Sequence, residues 1–233
     1  MSIVVRPATK ARFDDVATML GPKNPDSSVC WCLSHRLDWR TNRELAGPAR
    51  GEYVRKLCGR KVAPGVLAYS GDEVAGWAAT APRSELPFER SPKIPHVDDL
   101  PAWSVWCIRV RPGYRGQGIS RVLLDGAVAY ARSHGAPAVE GYPVDNQGQK
   151  VDLTMAYVGT RKLFEDAGFT KAADTTSVSG GFPRVLMRLD LRLAPGHARR
   201  SFRWRVRGPV PGHRARADGG PRSCSGCACR RQR

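Results

Sequence analysis

The chain has 233 residues, of which 41% are hydrophobic and 25% charged, the profile of a globular protein with length for one α/β domain and a real core. No apolar run approaches the ~20 residues of a membrane span, and the opening Met1-Ser2-Ile3-Val4-Val5-Arg6-Pro7 lacks the apolar stretch of an export signal; no membrane partner and a cytoplasmic location are expected. The net charge of +17 gathers at one end, since residues 195–233 hold 11 arginines against one acid, Asp218.

Ile3-Val4-Val5 reads as an opening strand. Thr9 is placed to cap a helix whose apolar positions Phe13, Val16, Ala17 and Leu20 recur at helical spacing. Residues 29–61 look like helix, turn, helix, with the second helix over Glu52 to Leu57. Val66 to Tyr69 and Val74 to Thr80 read as a hairpin around Ser70-Gly71-Asp72. The five prolines of residues 82–101 predict a long loop. Ser104 to Val110 is a strand, with Trp106, Ile108 and Val110 expected on one face and Val105, Cys107 and Arg109 on the other. A helix from Gly118 to His134 follows, then a strand over Ala138 to Tyr142. A short helix over Tyr157 to Ala167 precedes two strands, Phe169 to Val178 and Val185 to Leu191, around Gly180-Gly181. The alternation over 104–142 requires a parallel βαβ crossover, while the remainder is hairpin-like, so the sheet should be mixed.

The segment Val110 to Ser120 joins a strand to the start of a helix. Gly116 and Gly118 lack Cβ atoms, so backbone N–H groups can converge on an anion. The first N–H groups of the helix have no partner of their own and its dipole favours negative charge. Arg115 adds a forked cation suited to phosphate. The stretch is neither a P-loop nor a dinucleotide fingerprint, because no Gly-Lys-Ser/Thr closes it and Arg121 follows Gly118 where a third glycine would be needed.

Two motifs carry a resemblance. Arg115, Gly118 and Ser120 resemble the Arg-x-x-Gly-x-Gly/Ala signature of the GNAT acetyltransferases, with Ser120 a departure at the third position. Leu163-Phe164-Glu165-Asp166-Ala167-Gly168-Phe169 is similar to that family's Leu-Tyr-x-x-x-Gly-Phe. The resemblance spans about residues 3–191, with 192–233 left as a basic Arg/Pro/Gly-rich tail expected to be disordered. It implies an α/β fold with a mixed, mostly antiparallel sheet, helices on both faces, and a V-shaped splay between strands 104–110 and 138–142. It implies acetyl-CoA as cosubstrate, with the pantetheine arm pairing at Ile108 and Val110. The pyrophosphate would then sit on Arg115, Gly116, Gln117, Gly118, Ile119 and Ser120. The activity implied is transfer of an acetyl group to a primary amine of a small molecule or protein by direct attack, and a homodimer is left open.

The same comparison exposes a gap. The family's usual thiolate acid is the tyrosine replaced here by Phe164. Tyr157, at the start of the same predicted helix, is the best substitute and Tyr142 the second. Glu140, two residues before Tyr142, and Asp145 are candidate bases. Cys30, Cys32 and His35 offer zinc-type ligands without a fourth, so no metal is expected; Trp31, Trp39 and His35 fall in the region that shapes acceptor choice in similar proteins. An odd number of cysteines, seven, argues against a disulfide framework. Two alternatives stand beside the enzyme: an acyl-CoA sensor that kept the cradle and lost turnover, which Phe164 favours, or nonspecific nucleic-acid binding through the arginine tail.

Overall fold

The computed structural model describes residues 2–24, 29–152 and 156–191. The arginine-rich stretch and its Cys224, Cys227 and Cys229 lie outside the described residues.

The strands are β1 (Ile3–Pro7), β2 (Gly65–Ser70), β3 (Glu73–Pro82), β4 (Trp103–Val110), β5 (Ala138–Gly141), β6 (Thr170–Ser179) and β7 (Phe182–Asp190). They form one sheet in the order β1-β2-β3-β4-β5-β7-β6. Every neighbouring pair is antiparallel except β4 and β5. The crossover between those two is helix α4 (Ile119–Ser133). This is the mixed sheet with one parallel unit that the alternation requires. The β6–β7 hairpin turns on Gly180 and Gly181, both at positive φ (60° and 82°), a geometry that side-chain-bearing residues adopt at a cost.

Helices α1 (Phe13–Leu20) and α3 (Pro48–Cys58) cover the sheet on one side, and the short α2 (Trp39–Glu44), which buries no residue, lies in the connection between them. Val16, Leu20, Leu33, Trp77 and Trp106 fill the core there. On the other side α4 and α5 (Arg161–Asp166) bury Ile119, Leu123, Leu124 and Phe164 against Val66, Val105 and Met187. Each layer exists because the helices present one apolar stripe and the strands two apolar faces.

Three expectations need correction. Thr9 does not cap an α-helix: a 3-10 turn over Lys10–Arg12 comes first, and the Thr9 hydroxyl accepts from the Arg12 guanidinium at 3.1 Å. The helix predicted from Tyr157 begins only at Arg161, where Thr160 caps it by accepting the Leu163 N–H. Tyr157 therefore lies in a turn ahead of the helix, cut off from it by Gly159 at φ 106°.

The third correction concerns β4. Its register against β3 shifts between Ala79 and Thr80, which pair with Cys107 and Val105, so Trp106 is a bulged residue without its own partner. A one-residue insertion reverses the phase of everything beyond it. Trp106 accordingly packs with Cys107 on the α1–α3 side. Val105 before the bulge, and Ile108 and Val110 beyond it, belong to the α4 side. Trp106 does not share a face with Ile108 and Val110.

Candidate acyl-transfer site

The bulge also ends a strand pairing. β4 and β5 pair through Trp103, Ser104 and Val105 opposite Val139, Glu140 and Gly141, and no further. From Trp106 onward the two strands part, which opens the V-shaped gap. The edge of β4 in that gap includes Ile108 and, by the two-residue period of a strand, Val110.

The gap's outer end is the α4 N-terminus. Gly116 and Gly118 sit at φ 76° and 74°, and a Cβ built on either would meet nothing within 4 Å. Arg121 and Val122 direct their N–H groups to the Gly118 carbonyl, while the N–H groups of Gln117, Gly118, Ile119 and Ser120 have no acceptor among the described residues. The Ile119 side chain is buried, 1% exposed, so it anchors the helix start in the core while its amide faces out. The Gln117 side chain donates to the Gly113 carbonyl at 3.4 Å. Arg111 is turned aside, donating to the Val74 carbonyl at 2.8 Å, whereas Arg115 is exposed. An open glycine turn with free amides at the start of a 15-residue helix and an exposed guanidinium fits a pyrophosphate.

At the gap's inner end stands Tyr157. Its carbonyl accepts the Ile108 N–H at 2.7 Å, so a pantetheine arm pairing at Ile108 has to displace this bond. The Tyr157 hydroxyl is 2.6 Å from His35 Nε2, and the two rings lie nearly parallel, 16° apart with centroids at 5.2 Å. The Arg184 guanidinium stands 4.7 Å from the centre of the tyrosine ring and donates to the Tyr142 carbonyl at 2.6 Å. Burial raises the Tyr157 hydroxyl above the ordinary tyrosine range, and Arg184 acts against that rise. Burial, and then Arg184, push His35 down to about 4, so its imidazole is neutral near pH 7. Sequence reading had given His35 to acceptor choice and had not found Arg184. β7 holds two arginines, Arg184 and Arg188, and nothing in their spacing tells which of them reaches Tyr157.

Tyr142 and Glu140 do share a face, as predicted, but neither opens on the gap. Tyr142 is 3% exposed, its hydroxyl bonded to Ser104 at 3.0 Å, and burial raises it well above its ordinary range. Glu140 is the larger correction. It is 1% exposed, and its two oxygens are engaged by Arg83 at 2.7 Å and Arg188 at 3.2 Å. Enclosed in this way, the carboxylate has no open side toward an incoming amine. Asp145, the other candidate base, pairs with Arg161 at 3.0 Å. Phe164 is fully buried, edge-on to Phe169 with centroids at 5.0 Å.

The cysteines disperse. Cys32 Sγ lies 2.8 Å from Cys107 Sγ in the core, Cys30 is exposed and touches Ser34 at 3.0 Å, and His35 is directed to Tyr157. Trp39 is 73% exposed, while Trp31 stacks on Phe13 in the core.

Residues 34–150 match the acetyltransferase (GNAT) family, and the chain belongs to that family. No curated protein matches it by sequence. Among solved structures, one described as an acetyltransferase is similar at 20% identity with a TM-score of 0.51, over 81% of this chain and all of its own; this likeness establishes the fold. A histone acetyltransferase HPA2 and related acetyltransferase from Corynebacterium glutamicum aligns at 18% identity and TM-score 0.49, over 84% of this chain and all of its own. The yncA protein of Salmonella typhimurium, solved with its cofactor acetyl-CoA, aligns at 17% and 0.46, over 85% of this chain and 99% of its own.

Proposed function

We propose that this chain is an N-acetyltransferase that moves the acetyl group of acetyl-CoA to a primary amine of a small molecule or protein. The observation that carries the reading is the alignment of two features on one strand. The open amide cradle at the start of α4 leads directly onto the β4 edge freed by the Trp106 bulge. Pyrophosphate on Gln117 to Ser120, with Arg115 beside it, sends the pantetheine arm along Val110 toward Ile108 and Tyr157.

The amine attacks as its free base. Its nitrogen bonds to the thioester carbon, the C–S bond breaks, and the proton lost from nitrogen passes to solvent. The leaving thiolate takes its proton from the Tyr157 hydroxyl, which recovers one from water. Tyr157 is preferred over Tyr142 because it stands on the gap itself, while Tyr142 is sealed beneath Ser104.

The test is thiol release from acetyl-CoA against a panel comprising a polyamine, an aminoglycoside, a lysine peptide and a free peptide N-terminus. Tyr157→Phe is expected to lower kcat by about 100-fold, the scale of one general acid, with KM for acetyl-CoA within about twofold. An unchanged kcat removes Tyr157 from the mechanism. Saturable CoA binding with no thiol release across the panel would replace the enzyme by the acyl-CoA sensor, the reading that Phe164 favours.

A further inference from the structure

We infer that His35 is a positioning residue for proton transfer: its Nε2–H donates to the Tyr157 hydroxyl oxygen, turns the O–H toward the leaving sulfur and holds the phenolate that forms. The inference rests on the reading of Tyr157 as the thiolate's acid.

The argument starts from a proton count. His35 comes from the loop before α2 and Tyr157 from the turn before α5, 122 residues apart, yet Nε2 and Oη are 2.6 Å apart. A neutral imidazole carries one N–H and a phenol one O–H, so two arrangements exist. If the tyrosine donates to Nε2, its proton points away from the gap and is committed. If Nε2–H donates to Oη, the phenol proton is left for an acceptor in the gap. Only the second is productive for a thiolate, and it improves as the reaction proceeds, because a donor to an oxygen gains strength when that oxygen becomes an anion.

The surroundings favour the same arrangement. The charged or titratable groups that face Tyr157 are Arg184 from β7, Cys107 from β4 and Cys30 from the loop. Arg184 is the single cation among them, and it stands over the ring at 4.7 Å, where it favours phenolate. It also favours a neutral His35, and a neutral imidazole with its hydrogen on Nε2 keeps a donor aimed at Oη without a competing charge. In the free protein the Ile108 N–H holds the Tyr157 carbonyl at 2.7 Å; once the cofactor arm takes that N–H, the bond to His35 remains to hold the tyrosine hydroxyl.

The decisive experiment compares His35→Leu, His35→Gln, Tyr157→Phe and the His35→Leu/Tyr157→Phe double variant. Thiol release is followed with acetyl-CoA and the panel amine that turns over fastest. His35→Leu is expected to lower kcat about tenfold, the order of one hydrogen bond to a charged group, with KM for acetyl-CoA unmoved. His35→Gln, which keeps a donor at the same place, restores most of that loss. The double variant is no slower than Tyr157→Phe alone, because His35 acts through Tyr157. A second readout needs no amine: the ultraviolet phenolate titration, with Tyr157's share taken as the difference from Tyr157→Phe. In His35→Leu the Tyr157 ionisation moves to higher pH, and in His35→Gln it stays. Losses that multiply in the double variant, or an ionisation that does not move, overturn the inference and reduce His35 to packing. A Tyr157→Phe variant at full kcat instead overturns the acid itself.

Discussion

Phe164 stands where the family resemblance asks for a tyrosine, and its surroundings show why a hydroxyl is not simply missing there. The ring lies so close over Gly141 that a Cβ on that glycine would come within 2.6 Å of its ζ carbon. Phe164→Tyr would force a hydroxyl into this sealed site, at a cost of about 1–3 kcal/mol from overpacking and an unpartnered polar group. The expected outcome is a lower denaturant midpoint with no gain in kcat; a gain would move the acid back to the family position. His35 carries a second prediction. Its folded-state value is depressed, to about 4, below the ordinary ~6.5 of the unfolded chain. Below about pH 6.5 the unfolded chain therefore binds a proton that the fold rejects. The associated stability is complete above that pH and lost as pH falls toward 4, by roughly 2–3 kcal/mol. Melting temperature against pH should fall less steeply in His35→Gln than in the wild type; parallel curves would show that His35 is not held neutral. Neither environment was legible in the sequence, because each is set by a neighbour far along the chain: Gly141 for Phe164, Tyr157 and Arg184 for His35.

At the scale of elements, local pattern was enough where a segment answers to its own period. The α4 stripe read from helical spacing, Ile119, Val122, Leu123, Ala127, Val128, Tyr130 and Ala131, is buried except at Val122 and Tyr130, which are half-buried, and the β6–β7 turn falls on its glycine pair. Pattern failed at β4, where alternation cannot reveal a bulge: the extra residue exists only relative to β3, and it puts Trp106 on the opposite face from Ile108. It failed again before α5, where Gly159 and the Thr160 cap separate Tyr157 from the helix expected to begin with it. The open glycine turn was legible because its geometry is local. Gly118 holds a left-handed conformation with open space where a side chain would stand. Gly118→Ala should therefore cost only about 1–2 kcal/mol of backbone strain in the free protein. The new methyl group enters the space assigned to phosphate, so KM for acetyl-CoA is expected to rise about tenfold, equivalent to one weakened charge-assisted contact, with kcat nearly unchanged. Equal KM values would place the cofactor elsewhere.

For the molecule as a whole, the long loop 82–101 matters more than its proline content suggests. It carries Arg83, 4% exposed, whose guanidinium meets Glu140 of β5 and also donates to the Pro95 carbonyl at 3.2 Å. It carries Asp98, which pairs with Arg188 of β7 at 2.7 Å. Arg188 closes the circuit on the other oxygen of Glu140. One carboxylate thus ties the loop to two strands on the closed side of the splay, below the point where β4 and β5 part. Reading residue types gave Glu140 a catalytic role because a carboxylate two positions from a tyrosine does share its face; only the fold shows that two arginines reach that face first. The two roles predict different losses. In Glu140→Gln two buried guanidinium groups lose one of their anions, Arg188 keeping Asp98 and Asp190 and Arg83 keeping Glu89, a change that costs about 3 kcal/mol, visible as an earlier midpoint in chemical denaturation. A general base replaced by its amide would instead lower kcat by about 100-fold or more at little cost to the fold. The expectation for Glu140→Gln is a large stability loss with kcat of the folded fraction within about threefold of the wild type, well inside the range for a group outside the chemistry. A collapse of kcat at unchanged stability would return Glu140 to the reaction.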